Sequence, residues 1–403
     1  MKSLTIGLIR EGRIPPDKRV AFSPLQAAEI MQRFKNIKIV CQKSSFRCFR
    51  DEEYEAQGVT MVDDIQHCDI LMGIKEVQIP DLVAGKTYLF FSHTLKKQPY
   101  NKKLLQEILR KKIRLIDYEA LKDTQGNRLV AFGRFAGIVG AYNGLLTYGN
   151  RYGLFKLRRA HECFDINDLK LELRHVNLPP IKIALTGAGR VARGAMETLD
   201  TAGIRKVGVH EYLTKTFNEP VYVQLSSSDY HTRKEGGPFN RKEFHQYPKR
   251  YVSTFPAFTK LTDLLLAGAF WNPSAPRLFT REDMMTPDFR IRVIADITCD
   301  INGSVPSTKR ATSIADPLYD YDASTDSLHP PLSNPGFVTV MAIDNLPCEL
   351  PRSASEEFGR DLIDRILKPL LIRDPEGIIE RGTLTHKGQL TPHFHYLRDY
   401  ASE

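Results

Sequence analysis

Hydrophobic positions in the first 120 residues alternate between short apolar runs and stretches with helical spacing. Short runs bounded by polar residues are typical of buried strands, and the segments between them repeat their apolar residues every three to four positions. Strands that alternate with helices indicate βαβ units, so we expect a first doubly wound α/β domain. The predicted strands are Leu4–Leu8, Ile37–Val40, Ile70–Ile74, Tyr88–Phe91 and Ile113–Ile116, and the predicted helices are Pro24 to about Phe34, Asp51–Gln57 and Asn101–Lys111.

A second α/β pattern follows a long helix that is rich in glycine. The helix is predicted from Phe132 to about Leu157, and strands and helices resume from Ile181 to about Asp320. Within this region, Tyr212–Lys260 is polar, aromatic and basic, which favours an insertion between core elements. We therefore predict a dinucleotide-binding Rossmann domain over residues 136–334.

The C-terminal part returns to a helical pattern after a Pro- and Ser-rich stretch. Ser353 and Glu356 have the spacing of a capping box for a helix over Ala354–Leu367. The apolar face of that helix needs a partner, and the nucleotide domain is already complete. We expect residues 335–403 to pack on residues 1–135 and to form one substrate and catalytic domain with them.

Size and composition agree with two globular domains. The chain has 403 residues, of which 42% are hydrophobic and 26% charged, and this excludes collagen-like, coiled-coil and largely disordered proteins. The net charge is +9, but Lys and Arg are spread along the chain, so small anions are favoured over nucleic acid. Lys234–Tyr251 is the one weak candidate for a nucleic-acid segment.

Compartment and metal content are predicted from the cysteines and from the start of the chain. The six cysteines are scattered without a C-x-x-C pair, which favours a reducing cytoplasm and neither a disulfide scaffold nor a metal site. The start, MKSLTIGLIREGR, is unlike a signal peptide, and no apolar stretch is long enough for a bilayer. We predict a cytoplasmic protein without a membrane partner.

The glycine loop at Gly187-Ala188-Gly189 is the most informative segment. It joins a predicted strand, Ile181–Leu185, to a predicted helix, Arg190–Ala202, as in a loop that binds a pyrophosphate at a helix N-terminus. A second predicted strand, Val207–His210, ends at Glu211, and an acid at that distance is typical of a ribose-binding carboxylate. The alternative is a glycine-rich turn that binds no nucleotide, as occurs in many α/β proteins.

The nature of the dinucleotide is predicted from charge. A carboxylate at Glu211 repels a 2′-phosphate, which favours NAD over NADP. The cations Arg205 and Lys206 lie close by in sequence and leave NADP as the alternative.

Polar residues follow three predicted strands of the first domain. Lys75 and Glu76, His93 and Glu119 come after the strands that begin at Ile70, Tyr88 and Ile113. The carboxyl ends of parallel strands meet at one edge of a sheet, so an amine, an imidazole and a carboxylate would lie together there. Such a set suits proton transfer, although each residue alone is equally typical of a solvated surface. Arg19 is either solvated as well or an anchor for a carboxylate.

Several motifs, taken in order along nearly the whole chain, resemble one family. Together they resemble the lysine-forming saccharopine dehydrogenases, and most of all the lysine–2-oxoglutarate reductase domain of the bifunctional lysine-degrading enzymes. The motifs are RVAFSP with Arg19, GIKE at Gly73–Glu76, FFSHTLKKQ at Phe90–Gln98, LIDYE at Leu115–Glu119, QGNRLVAFGRFAG at Gln125–Gly137, GGPF at Gly236–Phe239 and AIDNLPCELPRSASEEF at Ala342–Phe358.

The resemblance implies a fold shared with alanine dehydrogenase and the transhydrogenase α-subunit. That fold has two Rossmann-like, doubly wound domains with a cleft between them, and its C-terminal segment returns to the N-terminal domain. The implied reaction is the reversible NAD-dependent oxidation of saccharopine to lysine and 2-oxoglutarate. The sequence holds no second dehydrogenase domain after Phe358, so we expect one of the two steps of the bifunctional enzymes.

The resemblance also implies residue roles. Lys75 matches the general base, His93 matches the acid–base group that serves water, and Glu76 and Glu119 match the acids that tune the lysine. The implied substrate-binding residues are Arg19, Glu76, Lys96, Gln98, Glu119, Arg128, Phe132, Asp296, Ile297 and Thr298. The implied cofactor-binding residues are Gly187, Gly189, Arg190, Val191, Glu211, Phe270, Ile343, Asp344, Asn345 and Leu346.

Two other functions remain open at this point. Alanine dehydrogenase shares the fold, but that family carries Met-Ser-Glu-Val-Ala-Gly where this chain has Gly133–Gly137, and the Ser-Glu is missing. In that segment Arg134 adds a cation of unassigned role. A non-catalytic nucleotide-binding module is the second alternative, and the presence of both Lys75 and His93 argues against it. Reaction direction and oligomeric state are not predicted.

Overall fold

The computed structural model describes residues 3–402, which form two compact α/β units. Unit 1 extends to Phe132 and resumes at Pro351, and unit 2 is Gly133–Leu350. The sequence predicts the return to the first unit near residue 335. The structure places it later because the strand Val338–Met341 pairs in parallel within the sheet of unit 2.

Eighteen strands and fourteen α-helices are assigned within residues 3–402. The strands are β1 Leu4–Leu8, β2 Ile37–Gln42, β3 Thr60–Val62, β4 Ile70–Met72, β5 Thr87–Phe90, β6 Arg114–Asp117, β7 Lys182–Thr186, β8 Arg205–Lys206, β9 Val221–Leu225, β10 His231–Arg233, β11 Tyr251–Ser253, β12 Leu264–Ala267, β13 Val293–Asp296, β14 Leu318–Asp322, β15 Ser327–His329, β16 Val338–Met341, β17 Thr383–His386 and β18 Gln389–Leu390. The helices are α1 Pro24–Arg33, α2 Asp51–Glu55, α3 Lys102–Arg110, α4 Gly133–Tyr152, α5 Ile166–Glu172, α6 Arg190–Thr201, α7 Val209–Thr214, α8 Arg241–Gln246, α9 Pro256–Thr259, α10 Arg281–Met284, α11 Pro351–Asp361, α12 Leu367–Leu371, α13 Ile378–Gly382 and α14 Arg398–Ala401.

Unit 1 is built on one eight-stranded sheet in the order β18-β17-β6-β5-β4-β1-β2-β3. Strands β1 to β6 are parallel and follow the doubly wound order 3-2-1-4-5-6, and β17 and β18 add an antiparallel edge. Apolar side chains cover both faces in two clusters, as a parallel sheet requires. The strand reversal at β1 and β4 places a binding crevice at the carboxyl ends of these strands.

Unit 2 contains a second eight-stranded sheet, in the order β15-β14-β16-β13-β12-β7-β9-β8. Six of its strands are parallel, and β14 and β15 are antiparallel. β7 lies between β12 and β9, although β8 comes before β9 in the chain. The second and third strands have therefore exchanged places relative to the order in unit 1.

Glycines allow the long helix α4 to contact α6 with its backbone. A Cβ at Gly137 would lie 1.9 Å from the Val191 carbonyl oxygen, and one at Gly194 would lie 1.9 Å from that of Arg134. Only hydrogen fits at these two positions, since real Cβ atoms do not approach so closely. The close contact fixes the start of α6, which follows the glycine loop.

The first predicted elements agree well with the structure. Strand β1 has the predicted bounds, and α1 begins at Pro24 with Ser23 as its cap and Gln26 completing a capping box. The local signals here are strong and independent of the rest of the fold.

Three predictions for later segments are wrong. Val207–His210 is not a strand, because β8 ends at Lys206 and Val209 starts helix α7. The insertion Tyr212–Lys260 contains the core strand β9, so only the part after Leu225 leaves the sheet. Ser353 does not cap a helix, because α11 already begins at Pro351, and a π-helical segment, Leu362–Ile366, interrupts its continuation into α12.

Within residues 3–402, no helix is both long and apolar enough to cross a membrane.

Candidate active site

The carboxyl ends of β4, β5 and β6 carry the predicted acid–base residues of unit 1. Lys75 follows β4, His93 follows β5 and Glu119 follows β6, and these three strands are neighbours in the sheet. The strand-end argument thus places the three side chains at the same edge of the sheet.

Lys75 is half-buried, and its surroundings favour the neutral amine. Burial lowers the pKa of Lys75 below its usual value of 10.5, and the cations Arg19 and Arg13 lower it further, while Asp17 and Glu76 oppose them. A lysine of lowered pKa can accept a proton nearer neutral pH. Glu119, predicted to tune Lys75, is instead paired with Arg128.

Glu76 and His93 form a hydrogen-bonded pair. His93 Nδ1 lies 2.5 Å from Glu76 Oε1, and Asn101 Nδ2 donates to the same oxygen at 3.1 Å. Burial raises the pKa of Glu76, but the His93 hydrogen bond and charge outweigh it and hold that pKa at about 2. The carboxylate therefore orients the imidazole.

The backbone at His93 is unusual. Its φ is 49°, in the left-handed region that residues other than glycine rarely occupy. Such a conformation persists where the surrounding contacts enforce it, which is common at functional sites. Here Asn101 Nδ2 also donates to the carbonyl of Ser92 at 2.9 Å, directly before His93.

Two arginines of unit 1 occupy the positions predicted for substrate binding. Arg128 Nη2 lies 2.5 Å from Glu119 Oε1 with its side chain 38% exposed. Arg19 is buried, makes a two-bond ion pair with Asp17 at 3.0 and 2.6 Å, and stacks over the ring of Phe132 at 4.1 Å. The solvated alternative for Arg19 is therefore wrong.

Lys96 and Gln98 lie on the loop after β5. Lys96 is exposed, whereas the Gln98 side-chain oxygen is buried and has no hydrogen-bond partner among residues 3–402. The Gln98 backbone carbonyl accepts the hydroxyl of Tyr400. The loop is thereby fastened to the C-terminal helix α14 of the same unit.

Two acids that position the site were not predicted from the sequence. Glu11, after β1, accepts the backbone N–H groups of Ile74 at 2.6 Å and Lys75 at 2.9 Å, and burial together with Asp17 raises its pKa to about 8. Asp117, at the end of β6, accepts from the Ser92 N–H at 2.9 Å and the Glu119 N–H at 2.7 Å. Their place at strand ends, the same signal that identified Lys75, could have indicated both.

In unit 2, the glycine loop has the geometry that an anionic group requires. Gly187 has a φ of 109°, and a Cβ there would press on the Gly268 carbonyl and the Ala269 nitrogen at 3.1 and 3.2 Å. Gly189 is the N-cap of α6 and supplies no side-chain cap, and the N-terminus of such a helix favours an anionic group. The loop therefore fits a pyrophosphate.

Glu211 lies away from this loop. It sits on α7, where Lys215 donates to it at 2.8 Å and lowers its pKa. The next residue, Tyr212, accepts with its carbonyl from Lys182 Nζ at 2.6 Å, and Lys182 starts β7 whereas Gly187 follows its end, about 16 Å along the strand. The structure therefore does not bring the predicted ribose acid to the glycine loop.

The other predicted cofactor and substrate residues of unit 2 follow three neighbouring strands. Phe270 follows β12 and is 81% exposed. Asp296 ends β13, is buried, and accepts the hydroxyls of Thr298 and Thr308 at 2.6 Å each, while burial raises its pKa. The remaining residues are Ile297 after β13, and Ile343, Asp344, Asn345 and Leu346 after β16.

Arg134, whose role was open, pairs with Glu197 of α6 at 2.7 Å. The bond joins α4 to α6 beside the glycine contacts. We find no group of three His, Cys, Asp or Glu side chains within residues 3–402 that is placed to hold a metal ion.

Curated relatives match this chain over most of its length. Alpha-aminoadipic semialdehyde synthase from Rattus norvegicus is 31% identical over 90% of this chain, and the NAD(+), L-lysine-forming saccharopine dehydrogenase from Neurospora crassa is 27% identical over 87% of each chain. The resemblance to the saccharopine dehydrogenase family is confirmed. The chain spans 44% of the length of the rat protein, so it corresponds to less than half of that relative.

The fold has solved counterparts. Residues 7–139 match the family model described as alanine dehydrogenase/PNT, N-terminal domain. An L-alanine dehydrogenase structure matches with a TM-score of 0.63 at 15% identity, covering 99% of this chain and 100% of that chain. A transhydrogenase from Sinorhizobium meliloti matches with a TM-score of 0.58 at 14% identity, covering 96% and 98%. The predicted α/β fold class is confirmed, and at these identities the likeness extends to the fold alone.

Proposed function

We propose that the chain is an NAD(H)-dependent, lysine-forming saccharopine dehydrogenase. In balance, saccharopine, NAD⁺ and water give lysine, 2-oxoglutarate, NADH and a proton. The observation that carries the proposal is the strand-end cluster of unit 1, where a lysine of lowered pKa lies beside a hydrogen-bonded Glu76–His93 pair. Its similarity to the NAD(+)-dependent fungal enzymes named above supports the choice of substrate and nucleotide.

Lys75 takes the first proton in the oxidative direction. The secondary amine of saccharopine must be neutral before a hydride can leave the adjacent carbon, and neutral Lys75 removes its proton. The nicotinamide, when bound, accepts that hydride. Glu11 accepts the backbone N–H groups of Ile74 and Lys75, which holds the chain in place at the start of the Lys75 side chain.

His93 serves the water step. The oxidised substrate is an imine, water adds to it to give a carbinolamine, and His93 removes and returns protons until the C–N bond breaks. Glu76 holds the imidazole in place for both proton transfers through its hydrogen bond to Nδ1. Arg128 is the more open of the two arginines and binds a substrate carboxylate. Buried Arg19 lowers the pKa of Lys75, and its partner Asp17 opposes that effect.

Alanine dehydrogenase is supported by the fold alone, at 15% identity. A steady-state assay separates the two functions. With NADH, lysine and 2-oxoglutarate should give turnover, and ammonia and pyruvate should give none. Turnover with pyruvate and ammonia only would contradict the proposal. The cytoplasmic location remains a prediction.

A further inference from the structure

A cavity of about 520 Å³ lies in unit 1 beside α12 and α13. Its walls come from the π-helical segment Leu362–Ile366, from α12, from the loop 373–376 and from Ile378 at the start of α13, and Leu129 completes them. The residues proposed above for the reaction are not among those that line it. The volume is within the usual range for sites that bind small molecules, about 300–1,000 Å³.

The cavity forms where the C-terminal helix is irregular. Pro369 lies in α12 and has no N–H to donate, and in a regular α-helix its ring would clash with the carbonyl of Arg365 four residues earlier. The wider π-helical turns over Leu362–Ile366 precede it and end in a bond from the Leu367 N–H to the Leu362 carbonyl. Such turns are rare in proteins and occur frequently at functional sites.

Two of the three cations that line the cavity are unpaired in the described part of the chain. Neither the Lys368 ammonium nor the Arg373 guanidinium makes a hydrogen bond or an ion pair within residues 3–402. The third cation, Arg365, lies 3.4 Å from Asp361 on its own helix. Lys368 and Arg373 are therefore the side chains with positive charge to offer a ligand.

Most of the negative charge of the lining is already engaged. Asp374 accepts three backbone N–H groups at the start of α13, at 2.7, 2.8 and 3.1 Å, and Asp364 lies 4.0 Å from Arg360. Glu376 is the remaining acid of the lining, and the two unpaired cations outnumber it. The cavity therefore favours an anion.

We propose that this cavity is a second ligand site of unit 1 and binds a small aliphatic dicarboxylate. Two unpaired cations match two carboxylates, and a guanidinium can hold a carboxylate through two parallel hydrogen bonds. The apolar part of the wall suits the short carbon chain between the carboxylates, and it consists of Leu129, Pro369, Pro375 and Ile378. An inorganic phosphate would supply the charge but would leave this apolar wall without a contact.

The site adjoins the segment that carries Arg128. Leu129 follows Arg128 directly and is 8% exposed, and its N–H donates to the Leu121 carbonyl at 2.9 Å. Arg381 of α13 donates to the Lys122 carbonyl of the same loop at 3.1 Å. A bound dicarboxylate therefore contacts the chain one residue from the proposed substrate arginine, and it does so away from the strand ends that carry the acid–base residues.

Calorimetric titration of glutarate into the full chain tests the site without turnover. The titration uses Arg128→Ala, which weakens binding at the strand ends, and we expect one saturable glutarate site to remain. Adding Lys368→Ala or Arg373→Ala should weaken this binding roughly ten-fold each, because each removes a charged hydrogen-bond donor. Adding Glu376→Gln removes a repelling charge and should tighten binding by about two-fold. Lys103→Ala, at an exposed lysine of α3, is the matched control.

The outcomes distinguish the site from the proposed function. Weaker glutarate binding in the Lys368 and Arg373 variants, with tighter binding in the Glu376 variant, supports the site. Binding that these substitutions leave unchanged, or no saturable binding in Arg128→Ala, would overturn it. Pentanoate has one carboxylate on a chain of the same length, and equal affinities for pentanoate and glutarate would contradict a dicarboxylate ligand. A failure to turn over lysine and 2-oxoglutarate contradicts the proposed function alone, since no titration here involves NADH or lysine.

Discussion

Both units are built on six parallel strands, yet their strand orders differ at one place. In unit 1 the second strand of the chain, β2, lies beside the first. In unit 2 the strand beside β7 is β9, the third in chain order, and two-residue β8 lies at the edge. Residues that follow successive strands therefore meet in unit 1, whereas in unit 2 the acid after the second strand lies away from the loop after the first.

The chemistry of the strand ends differs as well. The ends of β4, β5 and β6 carry charged side chains that are paired with one another, as Glu76 with His93 and Glu119 with Arg128. The corresponding ends in unit 2 carry a glycine turn and buried acids closed by hydroxyls, such as Asp296. We expect substitutions in unit 1 to alter turnover and its pH dependence, and substitutions in unit 2 to alter nucleotide affinity.

The largest expected effect tests whether the strand-end residues of unit 1 determine turnover and its pH dependence. Lys75→Met should lower kcat by about 10²–10⁴-fold and remove the limb of the pH profile on which activity rises as the amine loses its proton. That limb lies below pH 10.5, because burial and Arg19 lower the pKa of Lys75. NADH affinity should stay within two-fold in a direct titration. Lys103→Met, at an exposed lysine of α3, is the control, and near-normal turnover in Lys75→Met would contradict the assignment.

The second largest expected effect tests whether the close contact between α4 and α6 supports nucleotide binding in unit 2. Gly137→Ala forces a methyl group against the Val191 carbonyl, so α4 and α6 must separate. We expect a loss of about 3 kcal/mol in the free energy of unfolding, measured by chemical denaturation, and weaker NADH binding as the start of α6 shifts. Gly208→Ala has open space around the new methyl and should cost no more than about 1 kcal/mol, from the weaker N-cap of α7. Equal stability of the two variants would contradict the close helix contact.

The sequence predicts the elements of unit 1 better than those of unit 2, because the two strand orders differ. Local signals suffice for β1, for α1 with its Ser23 cap and for the strand ends that carry Lys75 and His93. Strand order depends on pairing between distant residues, which no local pattern records, so the sequence predicts β9 as part of an insertion. Glu11 and Asp117 stand at strand ends, so the strand-end signal that identifies Lys75 extends to them. Asp17 follows no strand, and its hydrogen bond to the Arg19 backbone N–H leaves no mark in the spacing of residues.

A smaller expected effect is the pH-dependent stability that the paired carboxylate Glu76 contributes and an exposed carboxylate does not. The pKa of Glu76, about 2 in the folded chain, lies below its ordinary value of 4.5, so the unfolded chain binds its proton first as pH falls. The resulting stabilisation, roughly 2 kcal/mol, is present above pH 4.5 and disappears as pH falls through 2. Unfolding free energies of wild type and Glu76→Gln should therefore converge in acid. Glu52→Gln, at an exposed acid of α2, should track the wild type at every pH.

The smallest expected effect tests whether the order of β8 and β9 in unit 2 determines the preference for NADH over NADPH. Glu211 is on the surface, paired with Lys215, and near the amino end of β7, so Glu211→Gln should change the ratio of kcat/KM for NADH and NADPH by less than two-fold. Ser227 follows β9, the strand beside β7, and in a doubly wound nucleotide fold the ribose acid follows the strand beside the glycine loop. Ser227→Asp should therefore disfavour NADPH by about ten-fold or more through repulsion of its 2′-phosphate. A large effect of Glu211→Gln with none of Ser227→Asp would restore the ribose role of Glu211. It would also mean that the order of strands in unit 2 does not determine where the nucleotide lies.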